Sequence, residues 1–276
     1  MEAQEHFQAG RLQEALSSLQ EAVRKKPSDP GLRIFLFELL SVLGDWEKAL
    51  RQLQVLAELD SDSFLLAQGF RPAIQCEVLR AEVFSGKRTP LIFGEPEPWI
   101  GWLVQANHLV TTGELDAARA LREKAFEEAP ASSGSIDGES FEWIADADSR
   151  LGPLLEVILE GKYYWVPFAR ISTVQIQPPK QVRDLIWTGA RFTWSNGGDA
   201  LGLIPVRYAG TESSSDNALR MARKTEWAQK DEDLFTGIGQ RMFATDKAEH
   251  PLLEIRQIEI AQSSESVSTL PANEAQ

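Results

Sequence analysis

The chain has 276 residues, 43% of them hydrophobic, and carries 41 acidic against 28 basic side chains for a formal net charge of -13. That is enough apolar material for two cores, and the acidic balance, with a pI near 4.8 and no basic run beyond Arg24-Lys25-Lys26, excludes the cationic stripe that nucleic-acid backbones require. No window approaches the roughly 18 apolar residues that span a bilayer, and Met1 to His6 has neither the basic start nor the apolar stretch of a signal peptide, so the expectation is a soluble, cytoplasmic chain without membrane insertion.

In chain order, the first signal is a phrase written three times: Gly10-Arg-Leu-Gln-Glu-Ala15-Leu, Gly44-Asp-Trp-Glu-Lys-Ala49-Leu and Gly113-Glu-Leu-Asp-Ala-Ala118-Arg. The first two glycines stand 34 residues apart and the third follows after 69, two such periods plus one. This is the tetratricopeptide period. Each Gly suits the turn between a repeat's two helices, each Ala five places on permits close helix packing, and Pro27 and Pro130 close the repeats that open at Gly10 and Gly113. Leu12, Ala15, Leu16, Leu19 and Ile34, Phe37, Leu40, Leu43 keep helical spacing. Lys26-Pro-Ser-Asp-Pro30 ends one helix and caps the next, a further helix is expected to start with Pro72 in its first turn and close near Gly86, and the Pro-rich loop from Lys87 to Pro98 reseeds a helix at Trp99. Cys76, the single cysteine, excludes a disulfide framework and reads as a small buried hydrophobe.

Beyond Pro130 the pattern changes to aromatic and β-branched runs broken by Gly, Pro and Asn. Strands are expected at 141–145, 163–167, 171–177, 191–194, 201–208, 239–245 and 252–260, and helical insertions at 152–160, 181–187 and 216–224. The fold class is therefore α+β with two domains: a tetratricopeptide-like helical stack over 1–130, then a smaller, mainly antiparallel sheet or partly closed barrel with a few helices over 131–261. Residues 262–276 are polar and read as a disordered tail.

Candidate chemistry is sparse. His6, His108 and His250 make no local metal pair. Asp146-Ala-Asp148 starts like a calcium loop, but Arg150 and Val157 stand where ligands belong. Gly237-Ile-Gly239 fails as a dinucleotide fingerprint, since Met242 replaces the final Gly and a strand follows. No metal or cofactor is expected, and no nucleophile, base and orienter can be named together. The unusual material is eight tryptophans beside charges. Trp143, Asp146, Asp148 and Arg150 read either as a structural cluster, with an internal ion pair fixing a turn, or as a site at the junction of the two domains. Trp99 and Trp102, three apart behind the Pro-rich loop, are expected to be partly exposed and to anchor a protein partner. Asn196-Gly-Gly198 reads as a hairpin turn.

A long series of phrases resembles the ImpE family, also called TagJ or SciE, the accessory proteins of bacterial type VI secretion. The residues that carry the resemblance are Arg71-Pro-Ala-Ile, Leu79-Arg-Ala, Phe93-Gly-Glu-Pro96, Ile136-Asp-Gly138, Phe141-Glu-Trp-Ile-Ala-Asp-Ala-Asp-Ser-Arg-Leu-Gly-Pro153, Gly161-Lys-Tyr-Tyr-Trp-Val-Pro167, Phe192-Thr-Trp-Ser-Asn-Gly-Gly198, Ala222-Arg-Lys-Thr-Glu-Trp227 and Gly239-Gln-Arg-Met242. The resemblance implies a non-catalytic adaptor that binds the N-terminal helix of the small sheath subunit and links the sheath to its recycling ATPase. That helix would lie in the groove of the stack, with an acidic rim favouring a basic or amphipathic partner. The competing readings are a hydrolase or ligand-binding enzyme at the domain junction and a self-associating scaffold.

Overall fold

The computed structural model describes residues 1–59 and 61–262, so the expected disordered tail lies, apart from Gln262, outside the described residues. Seven helices come first: α1 (Glu2–Gln8), α2 (Leu12–Lys25), α3 (Pro30–Val42), α4 (Trp46–Leu56), α5 (Ser61–Phe84), α6 (Pro98–Thr112) and α7 (Leu115–Glu128). The repeated glycines sit in the turns of three helix pairs, α1/α2, α3/α4 and α6/α7. Gly10, Gly44 and Gly113 have φ of 75°, 75° and 84°, a region that costs a residue with Cβ about 1–2 kcal/mol. Asp29 and Asp45 cap α3 and α4 by accepting from the amides of Leu32 and Lys48. Among the described residues no strand precedes residue 85.

α5 differs from expectation, because it runs for 24 residues with Pro72 inside it. Pro72 removes one ladder bond, that to the carbonyl of Gln68, and Gln68 is an exposed residue. A strand of two residues, β1 (Leu91–Ile92), interrupts the helical half and pairs in parallel with a strand of the second half.

The second half contains β2 (Gly134–Ile136), β3 (Glu139–Phe141), β4 (Ile144–Asp146), β5 (Leu154–Leu159), β6 (Lys162–Pro167), β7 (Ile171–Ile176), β8 (Trp187–Trp194), β9 (Asp199–Pro205), a one-turn α8 (Asn217–Arg220), β10 (Thr225–Gln229), β11 (Phe235–Gly239), β12 (Met242–Thr245), β13 (Glu249–Pro251) and β14 (Gln257–Ile260). Nine strands form one sheet in the order β1-β6-β5-β9-β8-β7-β14-β2-β3, antiparallel except for β1 with β6. β13-β12-β4 forms a second sheet, and β10-β11 is a hairpin. All are open, so the barrel alternative is not realised. Asn196-Gly-Gly198 does turn β8 into β9, with Gly197 at φ 85°.

The helix expected at 152–160 is instead β5. Its six residues are all buried, because alternate side chains enter two different cores. Leu154 and Ile158 join the helical stack, while Leu155, Val157 and Leu159 pack with Phe141, Ile144, Phe243 and Ile258. A strand covered on both faces loses its alternation and reads as a continuous apolar run. The insertion at 181–187 is reduced to a 3₁₀ turn at Val182–Leu185, and that at 216–224 to the single turn of α8.

The two halves share a core. Trp187 of β8 packs on Trp46 and Phe70 with ring centroids 6.0 and 5.9 Å away, and α3 is buried continuously from Phe35 to Val42. Arg183, in the 3₁₀ turn, reaches Glu38 of α3 at 2.5 Å. The groove of the stack is therefore filled along α3 and α5 by the chain's own sheet half, and what stays open there is a cleft of about 500 Å³ bounded by Phe7, Ile34, Phe35 and Lys180. The segment before β10 caps the turns of the first two helix pairs: Asn217 Nδ2 donates to the Gly10 carbonyl at 2.8 Å, and a Cβ on Gly44 would stand 2.6 Å from Cβ of Glu212.

Candidate functional site at the junction of the two halves

Glu77 and Arg80 stand three apart on the face of α5 that meets the sheet, and Glu156 stands between Leu155 and Val157 on the strand face that meets α5. Arg80 donates Nε and Nη2 to the two Glu156 oxygens at 2.6 and 2.9 Å, Nη2 to the Arg207 carbonyl at 2.6 Å and Nη1 to Glu77 at 3.2 Å. Tyr163 donates its hydroxyl to Glu156 and accepts from the Trp165 indole at 2.6 Å. Glu77 also accepts from the Trp187 indole at 2.8 Å.

A second guanidinium extends the network. Arg241 donates to both Glu156 and Asp146, and its Nε donates to the Pro205 carbonyl at 2.8 Å. Asp146 accepts from the amide of Asp148 at 2.9 Å and from Tyr208 at 3.2 Å. Asp148 accepts from Arg150 Nε and Nη2 at 2.8 and 2.5 Å and from the Gly237 amide at 2.9 Å. Arg207 gives its protons to carbonyls of Val42 and Arg220 at 2.8 and 2.7 Å. Four carboxyl groups, Glu77, Asp146, Asp148 and Glu156, thus meet four guanidiniums, of which Arg80, Arg207 and Arg241 are buried and Arg150 is partly exposed.

The electrostatics follow from who faces whom. Burial alone would raise the Glu156 carboxyl, but Arg80 and Arg241 outweigh it and hold it at about 2. Asp146 has one guanidinium and the neighbouring Asp148 charge, so burial prevails and pushes it up to about 7. Burial also raises Glu77, against the pull of Arg80 and Arg207. Arg207, ringed mainly by carbonyls, is drawn down to about 10 by burial. Cys76 is buried, with its thiol pushed up to about 12, first by burial and then by Glu77.

The residues singled out in the sequence separate into three places. Asp148 and Arg150 pair with each other, whereas Asp146 pairs with Arg241, 95 residues on, which local spacing does not reveal. Trp143 lies outside the network and is 41% exposed, at a shallow cleft shared with Phe126, itself 39% exposed. Trp99 is only 3% exposed, contrary to the exposure expected of it. Its ring packs in the stack while its indole N–H donates to Glu97 at 2.9 Å. Trp102 is half-buried, with the Lys124 ammonium 3.8 Å above its ring. Sequence reasoning missed Glu77, Arg80, Glu156, Arg207 and Arg241. The signal for Glu156 was available, since a lone carboxylate inside an apolar strand is almost never buried unpaired.

Chemically, the network is closed. Its acids and bases bond to one another, and a cleft of about 730 Å³ between α6 and the loop after α5 meets it only at Trp165. No group of His, Cys, Asp and Glu among the described residues could hold a metal ion, and no described helix is long and apolar enough to cross a membrane.

Comparison with known proteins agrees with this geometry. Residues 138–259 match the ImpE protein family, and residues 6–70 match a tetratricopeptide repeat. The type VI secretion system accessory component TagJ of Pseudomonas aeruginosa is 47% identical over 259 residues, covering 94% of this chain and 91% of that protein. The crystal structure of protein VPA1032 from Vibrio parahaemolyticus superimposes with a TM-score of 0.87 at 25% identity, covering 96% of this chain and 99% of the other. With a relative 47% identical over nearly the whole of both chains, the chain belongs to the ImpE (TagJ) family of type VI secretion accessory proteins.

Proposed function

We propose that this protein is a non-catalytic, cytoplasmic adaptor of the type VI secretion machine that binds the N-terminal helix of the small sheath subunit and links the sheath to its recycling ATPase. The observation that carries the non-catalytic reading is the closure of the junction network: Asp146, Asp148 and Arg150, the cluster that would have served a hydrolase, are bonded within it and line neither the 730 Å³ nor the 500 Å³ cleft. The tetratricopeptide match and the near-full-length likeness to TagJ support a role in holding other proteins. The open part of the stack groove, beside Phe7, Ile34 and Phe35 with Gln4 and Gln8 at its edge, offers apolar anchors for one face of an amphipathic helix. Trp102, on α6, remains the candidate for an aromatic anchor, and the buried Trp99 supports the helix behind it.

Isothermal calorimetry of the full chain with a synthetic peptide of the cognate sheath helix tests this. Affinity around micromolar is expected, as for a segment that orders on docking. No heat and no fluorescence change with folded protein at high peptide concentration refutes the sheath-adaptor reading.

A further inference from the structure

A second surface lies at the other end of the helical half. Where α7 runs into β2, a cleft of about 340 Å³ is lined chiefly by Phe126, Ala129, Pro130, Trp143, Ile144 and Pro153. Phe126 and Trp143 both leave about two-fifths of their surface to water, and exposed aromatics sharing one apolar concavity mark a docking site rather than scattered surface residues. Phe126 packs directly over Gly152, where a Cβ would stand 2.5 Å from its ring, so the glycine leaves the room the anchor occupies.

The charges beside this cleft say what fits it. α7 ends on Glu127 and Glu128, with no basic residue in its last turn, so two carboxylates sit at the negative end of the helix dipole. Glu123 stands one turn before Phe126 on the same face, and all three glutamates are exposed. Lys124, the cation nearest in sequence, is committed to the ring of Trp102. Apolar anchors beside uncompensated negative charge call for a ligand that brings apolar side chains and cations together.

We propose that this cleft is a second docking surface, separate from the stack groove, for a short amphipathic helix with lysine or arginine at its flanks. Its occupant inserts apolar side chains between Phe126 and Trp143, and its cations meet Glu123, Glu127 and Glu128.

The test uses the full chain labelled with fluorotryptophan and a synthetic leucine–lysine peptide with leucines at helical spacing, followed by fluorine NMR. The Trp143 resonance, assigned by its loss in Trp143→Phe, is expected to shift saturably, and less at high salt. Two variants are then compared with the parent, Phe126→Ser and the pair Glu127→Lys with Glu128→Lys. The second puts cations at the C-terminal end of α7, where the helix dipole favours them, and changes only exposed residues, so it guards against simple unfolding. Each is expected to weaken binding about tenfold or more, as loss of an interface anchor or of complementary charge does. A Trp143 resonance that does not move, or a charge-reversed variant that binds like the parent, overturns the proposal. Neither result depends on the sheath peptide, so it fails or stands apart from the adaptor reading.

Discussion

Replacing Glu156 by Gln probes the junction network at its centre with almost no change in volume. The carboxylate is fully buried and serves two guanidiniums and a tyrosine at once. After the substitution Arg80 keeps Glu77 and the Arg207 carbonyl, and Arg241 keeps Asp146 and the Pro205 carbonyl, but one negative charge is missing among buried cations. Two routes give the size of the loss. Removing one partner of a buried ion pair costs about 3–5 kcal/mol. Holding the carboxyl at about 2 instead of its ordinary 4.5 corresponds to about 3 kcal/mol. For chains of 150–250 residues each kcal/mol moves the melting temperature by about 2–4 °C, so Glu156→Gln should melt about 6–12 °C below the parent at pH 7. Because the folded value lies below the unfolded one, this stabilisation is complete above pH 4.5 and disappears as pH falls toward 2. The difference between parent and variant, followed by circular dichroism melts from pH 7 downward, should therefore shrink on the acid side. A variant that melts within about 2 °C of the parent at pH 7, well inside the scale above, or a gap that does not depend on pH, refutes the assignment of Glu156 as the keystone of the network.

Asp146 behaves with the opposite sign. Its folded value is raised from 3.8 to about 7, so its contribution is complete below 3.8 and is lost as pH rises through 7; Asp146→Asn should gain on the parent steadily between about pH 4 and 7 and then level off, and a constant difference across that range in paired melts contradicts it. Asp146→Ala, which leaves Arg241 short of an acceptor, should be worse than Asp146→Asn at every pH, by about 1–3 kcal/mol in urea titrations. Gly44→Ala must adopt φ 75° and also meet Glu212 at 2.6 Å, whereas Gly113→Ala has φ 84° and nothing within 4 Å, so Gly113→Ala should cost only the conformational penalty of about 1–2 kcal/mol and Gly44→Ala clearly more; equal losses in chemical denaturation would show that Glu212 yields freely. The tip of the β10–β11 hairpin is held where Arg119 bonds Asp231 at 2.7 Å and buried Arg122 bonds Asp233 at 2.6 Å, and removing both arginines should speed cleavage at Glu232 by a glutamate-specific protease, with an unchanged rate arguing that the strands alone hold the loop.

What was legible before the structure is explained by where the information sits along the chain. The repeated glycines, their alanines and the capping Asp29 act within one or two helical turns, so the pairs α1/α2, α3/α4 and α6/α7 follow from short-range chemistry. Pro72 misled because the rule against proline inside a helix assumes that the freed carbonyl is stranded, and here Gln68 faces solvent. β5 misled because burial on both faces erases the period of two on which strands are recognised. At the junction, Asp148 with Arg150 was readable from a separation of two, but the bonds of Arg80 to Glu156, Asp146 to Arg241 and Glu77 to Trp187 span 76, 95 and 110 residues, and no periodicity carries that information. The tryptophans were conspicuous by type, yet type does not distinguish Trp99, which fills the stack, from Trp143, which meets water.

The way β8 and the 3₁₀ turn at 182–185 fill the stack bears on how this protein unfolds. Repeat arrays are usually modular: each unit leans only on its neighbours, stability adds along one dimension, and end units fray first. Here Trp46 and Phe70 lean on Trp187, and the carboxylate that answers Arg80 of α5 belongs to β5. The middle repeats therefore depend on strands more than 70 residues further along the chain. Cutting the chain after α7 would leave an aromatic face and the Arg80 guanidinium uncovered together, and the loss would strike the centre of the array rather than its end. Cooperativity runs across the layers, and the whole described chain should melt as one unit.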